Sequence, residues 1–191
     1  MKTENLRQSV MDIAEILLRE RGYNGWSYQD ISAEIGIKKA SIHYYFPRKE
    51  DLGCALIVHY HAKSTKFLNE TCQKLLNAPE KLEVFVKLYG AVLDQPHSFC
   101  LCGMLAADLM TLPETMQEAL KNSFNGEQAW VSQILSQGVQ EGSLRNMDSI
   151  EQGAYQFVSC LQGMLLIARL KDNPQQVFFE NAKCYLKSKL I

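Results

Sequence analysis

Three groupings of residues could do chemistry. His97, Cys100 and Cys102 lie close together where an apolar helical stretch begins, and Cys54, His59 and His61 share another short segment. A thiol near a helix N-terminus can lose its proton easily and react with oxidants or electrophiles. No cation adjoins Cys100 or Cys102, so both are expected as small buried hydrophobes. His59 and His61 would point about 200° apart on a helix, so they cannot chelate together, and no metal or other cofactor is expected. No nucleophile–base pair or carboxylate pair is marked, and no glycine-rich phosphate loop occurs, so an enzyme is not expected. The third grouping is different. Residues 36–49 hold Lys38, Lys39, Arg48 and Lys49 with no acid, interleaved with His43, Tyr44 and Tyr45. Cations and hydrogen-bonding rings at the rim of a short helix suit phosphates and base edges.

Whole-chain charge hides this. The 191 residues carry 20 Lys+Arg against 21 Asp+Glu, a net charge of -1. Residues 1–49 hold eight Lys+Arg against six Asp+Glu, and residues 50–191 hold twelve against fifteen. A mildly basic segment is therefore averaged with an acidic body, which predicts modest non-specific affinity for a polyanion. A hydrophobic fraction of 47% excludes a disordered chain. No secretory leader is visible, and the uncharged run from Gln152 to Ala168 is short of the ~20 apolar residues a membrane span needs. A cytoplasmic protein that does not meet a membrane is expected, with its six cysteines reduced.

The elements that must position these groups are helices. Leu6, Val10, Ile13, Ala14 and Leu17 recur at helical spacing, and Gly22 stops that helix. Ser27 can cap a second helix with Ile31 and Ile35 inward, Gly36 breaks it, and Lys39–Tyr45 forms a third that Pro47 ends. Further helices are expected over about 49–76, from Pro79 to Gln95–Pro96, over 101–110, from Pro113 to about Val139, from Asp148 or Ser149 to about Lys171, and from Asn173–Pro174 to about Leu190. The fold class expected is all-α, with about nine helices: a three-helix N-terminal domain over 1–48 and a larger helical domain over 49–191.

Two short helices separated by a tight glycine turn suit a helix-turn-helix, whose second helix enters the DNA major groove. The stretch GYNGWSYQDISAEIGIKKASIHYYFPRKEDL resembles the N-terminal domain of the tetracycline-repressor (TetR) family of transcriptional regulators. The matching residues are Gly22-Tyr23, Ser27, Ile31-Ser32, Gly36-Ile37, Ser41-Ile42, Tyr45-Phe46 and Lys49, followed by Leu52. The Cys100–Pro113 segment resembles the corresponding region of some members. The resemblance implies that Ser27 caps the second helix and bonds a phosphate, and that Gln29 points into the groove. It implies that Lys39, Ala40, Ser41, Tyr44 and Tyr45 face bases or phosphates, that Lys49 holds a phosphate, and that Gly36 makes the turn. Two positions depart from the family pattern. Lys38 stands where a hydroxyl usually caps the third helix, and adds a cation near phosphate. His43 stands where a tyrosine commonly touches backbone. No arginine lies on the third helix for a guanine contact. Tyr45 is open to either a core or a groove position.

The resemblance further implies a homodimer on a double-stranded palindromic operator, and a small-molecule effector that shifts the population toward a state unable to bind DNA. Repression is the expected sign. The expected dimer face is Phe157, Val158, Leu161, Leu165 and Ala168 with Phe178, Ala182, Tyr185 and Leu186. Packing of these residues against their own subunit is the alternative. Candidate pocket residues are His59, Tyr89, Phe99, Met104, Phe124, Trp130 and Tyr155, whose character predicts an apolar or amphipathic effector.

Overall fold

A computed structural model describes residues 3–74, 77–94 and 99–191, without the side chains of Thr3 and Glu4. Among them are nine α-helices: α1 (Thr3–Arg21), α2 (Tyr28–Ile35), α3 (Lys39–Tyr45), α4 (Lys49–Cys72), α5 (Ala78–Gly90), α6 (Leu101–Ala107), α7 (Glu114–Gln140), α8 (Ile150–Ala168) and α9 (Pro174–Lys187). Short 3-10 turns lie over Tyr23–Gly25, Ala91–Asp94 and Leu109–Thr111. No described helix is long and apolar enough to cross a membrane. The expected ends of the fourth and fifth helices, near Leu76 and Gln95–Pro96, and the expected reactive partner His97, lie outside the described residues.

The chain packs as two compact units, residues 1–62 with 97–123 and residues 63–96 with 124–191. Both α4 and α7 contribute residues to each unit, so the packing division does not coincide with a cut after residue 48.

In the first unit, Val10, Ala14 and Leu18 of α1, Ile31 of α2, Ile42 of α3 and Leu52 of α4 are sealed from water. The segment after Phe99 packs on the end of α1. Arg19 Nε donates to the Phe99 carbonyl at 2.9 Å, and Phe99 N–H donates back to the Arg19 carbonyl at 3.1 Å. Asp108 accepts from the Tyr23 N–H at 2.8 Å. Gly22 is required at this junction. Its φ is 72°, and a Cβ there would lie 2.7 Å from Asp108 Oδ2.

In the second unit α8 packs on α9, and both pack on α5. Ser149 caps α8 by accepting from Gln152 N–H at 3.2 Å. Burial here favours the alternative to the expected dimer face, packing within the subunit. Phe157, Val158, Leu161, Leu165 and Ala168 are each at most 2% exposed in the single chain, and Phe178, Ala182 and Leu186 at most 5%. Tyr185 is half-buried, its ring 5.7 Å from Phe157. Side chains already sealed within one subunit leave no apolar area to bury against a second. The physical reason is that α8 is apolar on two sides. One stripe fills the unit's own core, while Tyr155, Leu166 and Ile167 remain in water, with Leu170 just beyond the helix.

Candidate nucleic-acid interface

Local chemistry sets the α2–α3 geometry. Ser27 and Asp30 form a reciprocal cap at the start of α2. Ser27 Oγ accepts from Gln29 N–H at 3.2 Å, while Ser27 N–H and its hydroxyl both donate to Asp30 Oδ2 at 2.7 Å. These bonds hold the Asp30 carboxyl below its ordinary value. They also commit the Ser27 hydroxyl hydrogen within the protein, so it is not free for a phosphate as arranged here. Gly36 ends α2 at φ 74°, ψ 35°, a left-handed conformation that an L side chain adopts only at a cost. Helix α3 begins at Lys39. Lys38 occupies its cap position without a side-chain capping bond, as expected where a hydroxyl is missing.

Helix α3 is anchored by few residues. Ile42 and Phe46 are buried. The Tyr28 hydroxyl shares its hydrogen between the carbonyls of Phe46 at 2.9 Å and Arg48 at 2.8 Å, which pins α2 to the α3–α4 junction. Burial pushes this phenol's pKa upward. Gln29, Lys38, Lys39, Ala40, His43 and Tyr44 are exposed, with Ser41 and Tyr45 half-buried beside them. Tyr44 has 77% of its surface in water and meets the Tyr45 ring edge-on at 5.0 Å. Tyr45 thus stands between the core and the surface. His43 Nδ1 lies 3.1 Å from the Pro47 carbonyl, and its ring packs edge-on to Tyr28 at 4.8 Å. A donor bond to that carbonyl fixes the tautomer with its proton on Nδ1.

The basic run is weaker than its formal charge. Arg48 bonds Glu50 at 2.5 Å and Asp51 at 2.9 Å, so its charge is partly compensated by acids two and three residues on. Lys49 Nζ donates to the carbonyls of Tyr23 and Trp26, each at 2.5 Å, and sits over both rings at 4.6 and 4.2 Å. Burial lowers the pKa of this ammonium. Among the described residues Lys38 and Lys39 are exposed outside any ion pair, while Arg48 is exposed within its pairs. Sequence reasoning saw the four cations but missed the Tyr28 pin and the Tyr23–Trp26 cage. Both join residues more than fifteen positions apart, beyond the reach of helical periodicity.

The expected pocket residues do not gather in one unit. His59, Phe99 and Met104 belong to the first and Tyr89, Phe124, Trp130 and Tyr155 to the second. Tyr155 has 60% of its surface in water. Tyr89 and Trp130 do meet a common cluster. Phe85 stacks on Trp130 with ring centres 5.5 Å apart and lies 5.0 Å from Tyr89, and the Tyr89 hydroxyl donates to Glu127 at 2.6 Å. Burial raises the Glu127 carboxyl above its ordinary value, against the opposing effect of that bond. Among the described residues no group of three metal-ligating side chains occurs. Burial raises the thiol pKa values of Cys54 and Cys72. Cys102 is sealed, with its sulfur 3.6 Å from the Ser123 hydroxyl.

Comparison with known proteins agrees with this geometry. Residues 10–55 match the family model described as bacterial regulatory proteins of the tetR family, and residues 78–178 match a tetracyclin repressor-like C-terminal domain. A TetR family regulator from Agrobacterium tumefaciens superposes with a TM-score of 0.93 at 27% identity over all of both chains. A TetR regulator from Legionella pneumophila gives 0.86 at 32% identity, again over all of both chains. The HTH-type transcriptional repressor NemR of Escherichia coli strain K12 is 25% identical over 187 residues, 95% of this chain and 92% of its own. Regulators of this kind bind DNA and are not enzymes. With both its DNA-reading and its C-terminal segments matched, the chain belongs to the TetR family of transcriptional regulators.

Proposed function

We propose that the protein is a homodimeric repressor that reads a palindromic operator with α2 and α3 and is released by a small-molecule effector bound within residues 49–191. The observation that carries this reading is α3 itself. Lys38, Lys39, Ala40 and Tyr44 project into water from a helix held by Ile42, Phe46 and the Tyr28 pin, directly after a left-handed glycine turn. Residues 1–48 act as the reading head. Gln29, Lys39, Ala40, Ser41, Tyr44 and Tyr45 face the groove, with Lys38 and His43 at the phosphate rim, while Ser27 serves by capping α2. Lys49 contributes chiefly by tying the Tyr23–Gly25 turn to the start of α4. The repressor names of curated relatives, such as NemR and DhaR of a Mycobacterium species, support the sign of regulation.

Dimer formation is assigned to the water-facing side of α8: Tyr155, Leu166 and Ile167, with Leu170 beyond its end. Gly163 on the same helix has nothing within 4 Å of the position a Cβ would take, which leaves room for a close neighbour. A symmetric pair places two reading heads on one helical repeat of DNA.

Selection of bound sequences from random duplexes tests this reading. An inverted repeat with half-sites about one turn apart is expected, together with a dimer in sedimentation and release by some member of a compound screen. A monomer, or recovery of unrelated sequences only, overturns it.

A further inference from the structure

The inward stripe of α7 contains an acid. Leu120, Val131 and Leu135 on this stripe are buried, yet Glu127 stands between Phe124 and Val131 at the same spacing. Facing it across α5 is a two-rung ladder. Phe85 and Tyr89 lie one turn apart on α5, and Trp130 and Glu127 lie one turn apart on α7. The first rung is the Phe85–Trp130 stack and the second is the Tyr89–Glu127 hydrogen bond of 2.6 Å. Phe157 extends the aromatic surface, 6.1 Å from Phe85.

Two features distinguish this arrangement from an ordinary buried acid. Among the described residues Tyr89 is the hydrogen-bond donor to the carboxylate, and no Lys, Arg or His forms an ion pair with it. A carboxylate accepts about four hydrogen bonds, so much of its capacity is unused. Phe124, Glu127 and Trp130 also keep accessible surface, whereas the neighbouring stripe positions are sealed. The acid is therefore removed from bulk water yet still reachable. A buried carboxylate without a counter-ion is costly, and an incoming cation offsets that cost while gaining the faces of nearby rings.

We propose that Glu127, Tyr89 and Trp130 form the cation-recognising end of the effector site, and that the effector is an organic cation with aromatic or aliphatic bulk. This inference rests on the effector-responsive reading above and narrows the expected effector from apolar or amphipathic to amphipathic and positively charged. The carboxylate supplies the charge, Tyr89 holds the carboxylate in place, and the indole of Trp130 supplies a face for the cation.

Calorimetric titration of the full-length protein tests it, using tetraphenylphosphonium and benzyltrimethylammonium as cations and triphenylphosphine oxide as a neutral analogue of the first. Wild-type protein is expected to bind at least one cation, to prefer tetraphenylphosphonium over the phosphine oxide, and to lose about tenfold in cation affinity on Glu127→Gln. Tyr89→Phe should weaken cation binding by a smaller factor, and neither variant should weaken phosphine oxide binding. Thermal melts establish that both variants fold, and Tyr89→Phe carries the test should Glu127→Gln fail to do so. Failure of both cations to bind, equal cation affinity in wild type and variants, or preference for the neutral compound overturns the proposal. Operator binding without compound is measured in parallel. If it persists while cation selectivity fails, only this inference falls; if wild-type protein finds no operator, the regulatory reading falls as well.

Discussion

The α2–α3 head and the α5–α7 core treat charge in opposite ways. In the head every ionic group is at or near the surface. Arg48 is partly compensated by Glu50 and Asp51, Lys49 is caged by carbonyls and rings, and Lys38 and Lys39 are left to water. Polarity there costs little stability and acts through salt-sensitive, long-range attraction. In the core one carboxylate stands among rings with a tyrosine as its donor. Polarity there destabilises the fold unless a complementary group offsets it. On the proposed reading, the head directs its charge to a polyanion outside, and the core keeps a carboxylate for a small molecule.

The sharpest way to break this contrast is at the ring that organises the core. Phe85 is fully buried against Tyr89, Trp130 and Phe157. Phe85→Ala should cost about 3–5 kcal/mol in denaturant unfolding. A loss below about 1 kcal/mol would show that the cluster is not a packed core.

Glu127→Gln should act in the other direction. Its carboxyl is raised in the folded state, so the native protein holds a proton over a pH range in which the unfolded chain has lost it. Stability should fall as pH rises from the ordinary glutamate value through the raised one, and stay low above it. The variant should lack this decline and be the more stable of the two proteins near pH 8. Parallel pH profiles for variant and wild type would contradict the description of the site.

In the head, Gly36→Ala tests the turn. A left-handed alanine should cost about 1–2 kcal/mol in stability and weaken operator binding, although the position itself is open. Normal affinity and stability would mean that the turn relaxes freely.

The smallest effects separate the lysines. Lys39→Ala should reduce the salt slope of operator binding by about 0.9 per half-site contact, with little change in melting. Lys49→Ala should lower the melting temperature and leave the slope nearly unchanged, because its ammonium already serves Tyr23 and Trp26. A slope change from Lys49→Ala equal to that from Lys39→Ala would restore the phosphate role that the family resemblance implies for Lys49.

The head was largely legible from sequence because its determinants are local. Ser27 and Asp30 cap over three residues, Gly36 supplies the one backbone conformation the turn needs, and α3 runs from Lys39 to Tyr45 as its bounding residues indicate. The C-terminal helices were legible as helices but not as surfaces. Helix α8 offers an apolar stripe on each of two sides, and periodicity cannot say which is covered by α9 and which meets water. Glu127 left a readable trace, an acid within an apolar stripe, and Tyr89 was a candidate pocket residue, but nothing local pairs the two.

By itself, then, the sequence determined the all-helical architecture, the helix-turn-helix and the presence of four clustered cations, since capping, turn geometry and 3.6-residue periodicity operate over a few residues. Tertiary structure alone decided which cations remain free, which face of α8 is left in water, and that Tyr89 meets Glu127 across 38 positions of chain. Those outcomes depend on which distant groups compete for the same donors and the same apolar area, and folding settles that competition only once the helices have packed.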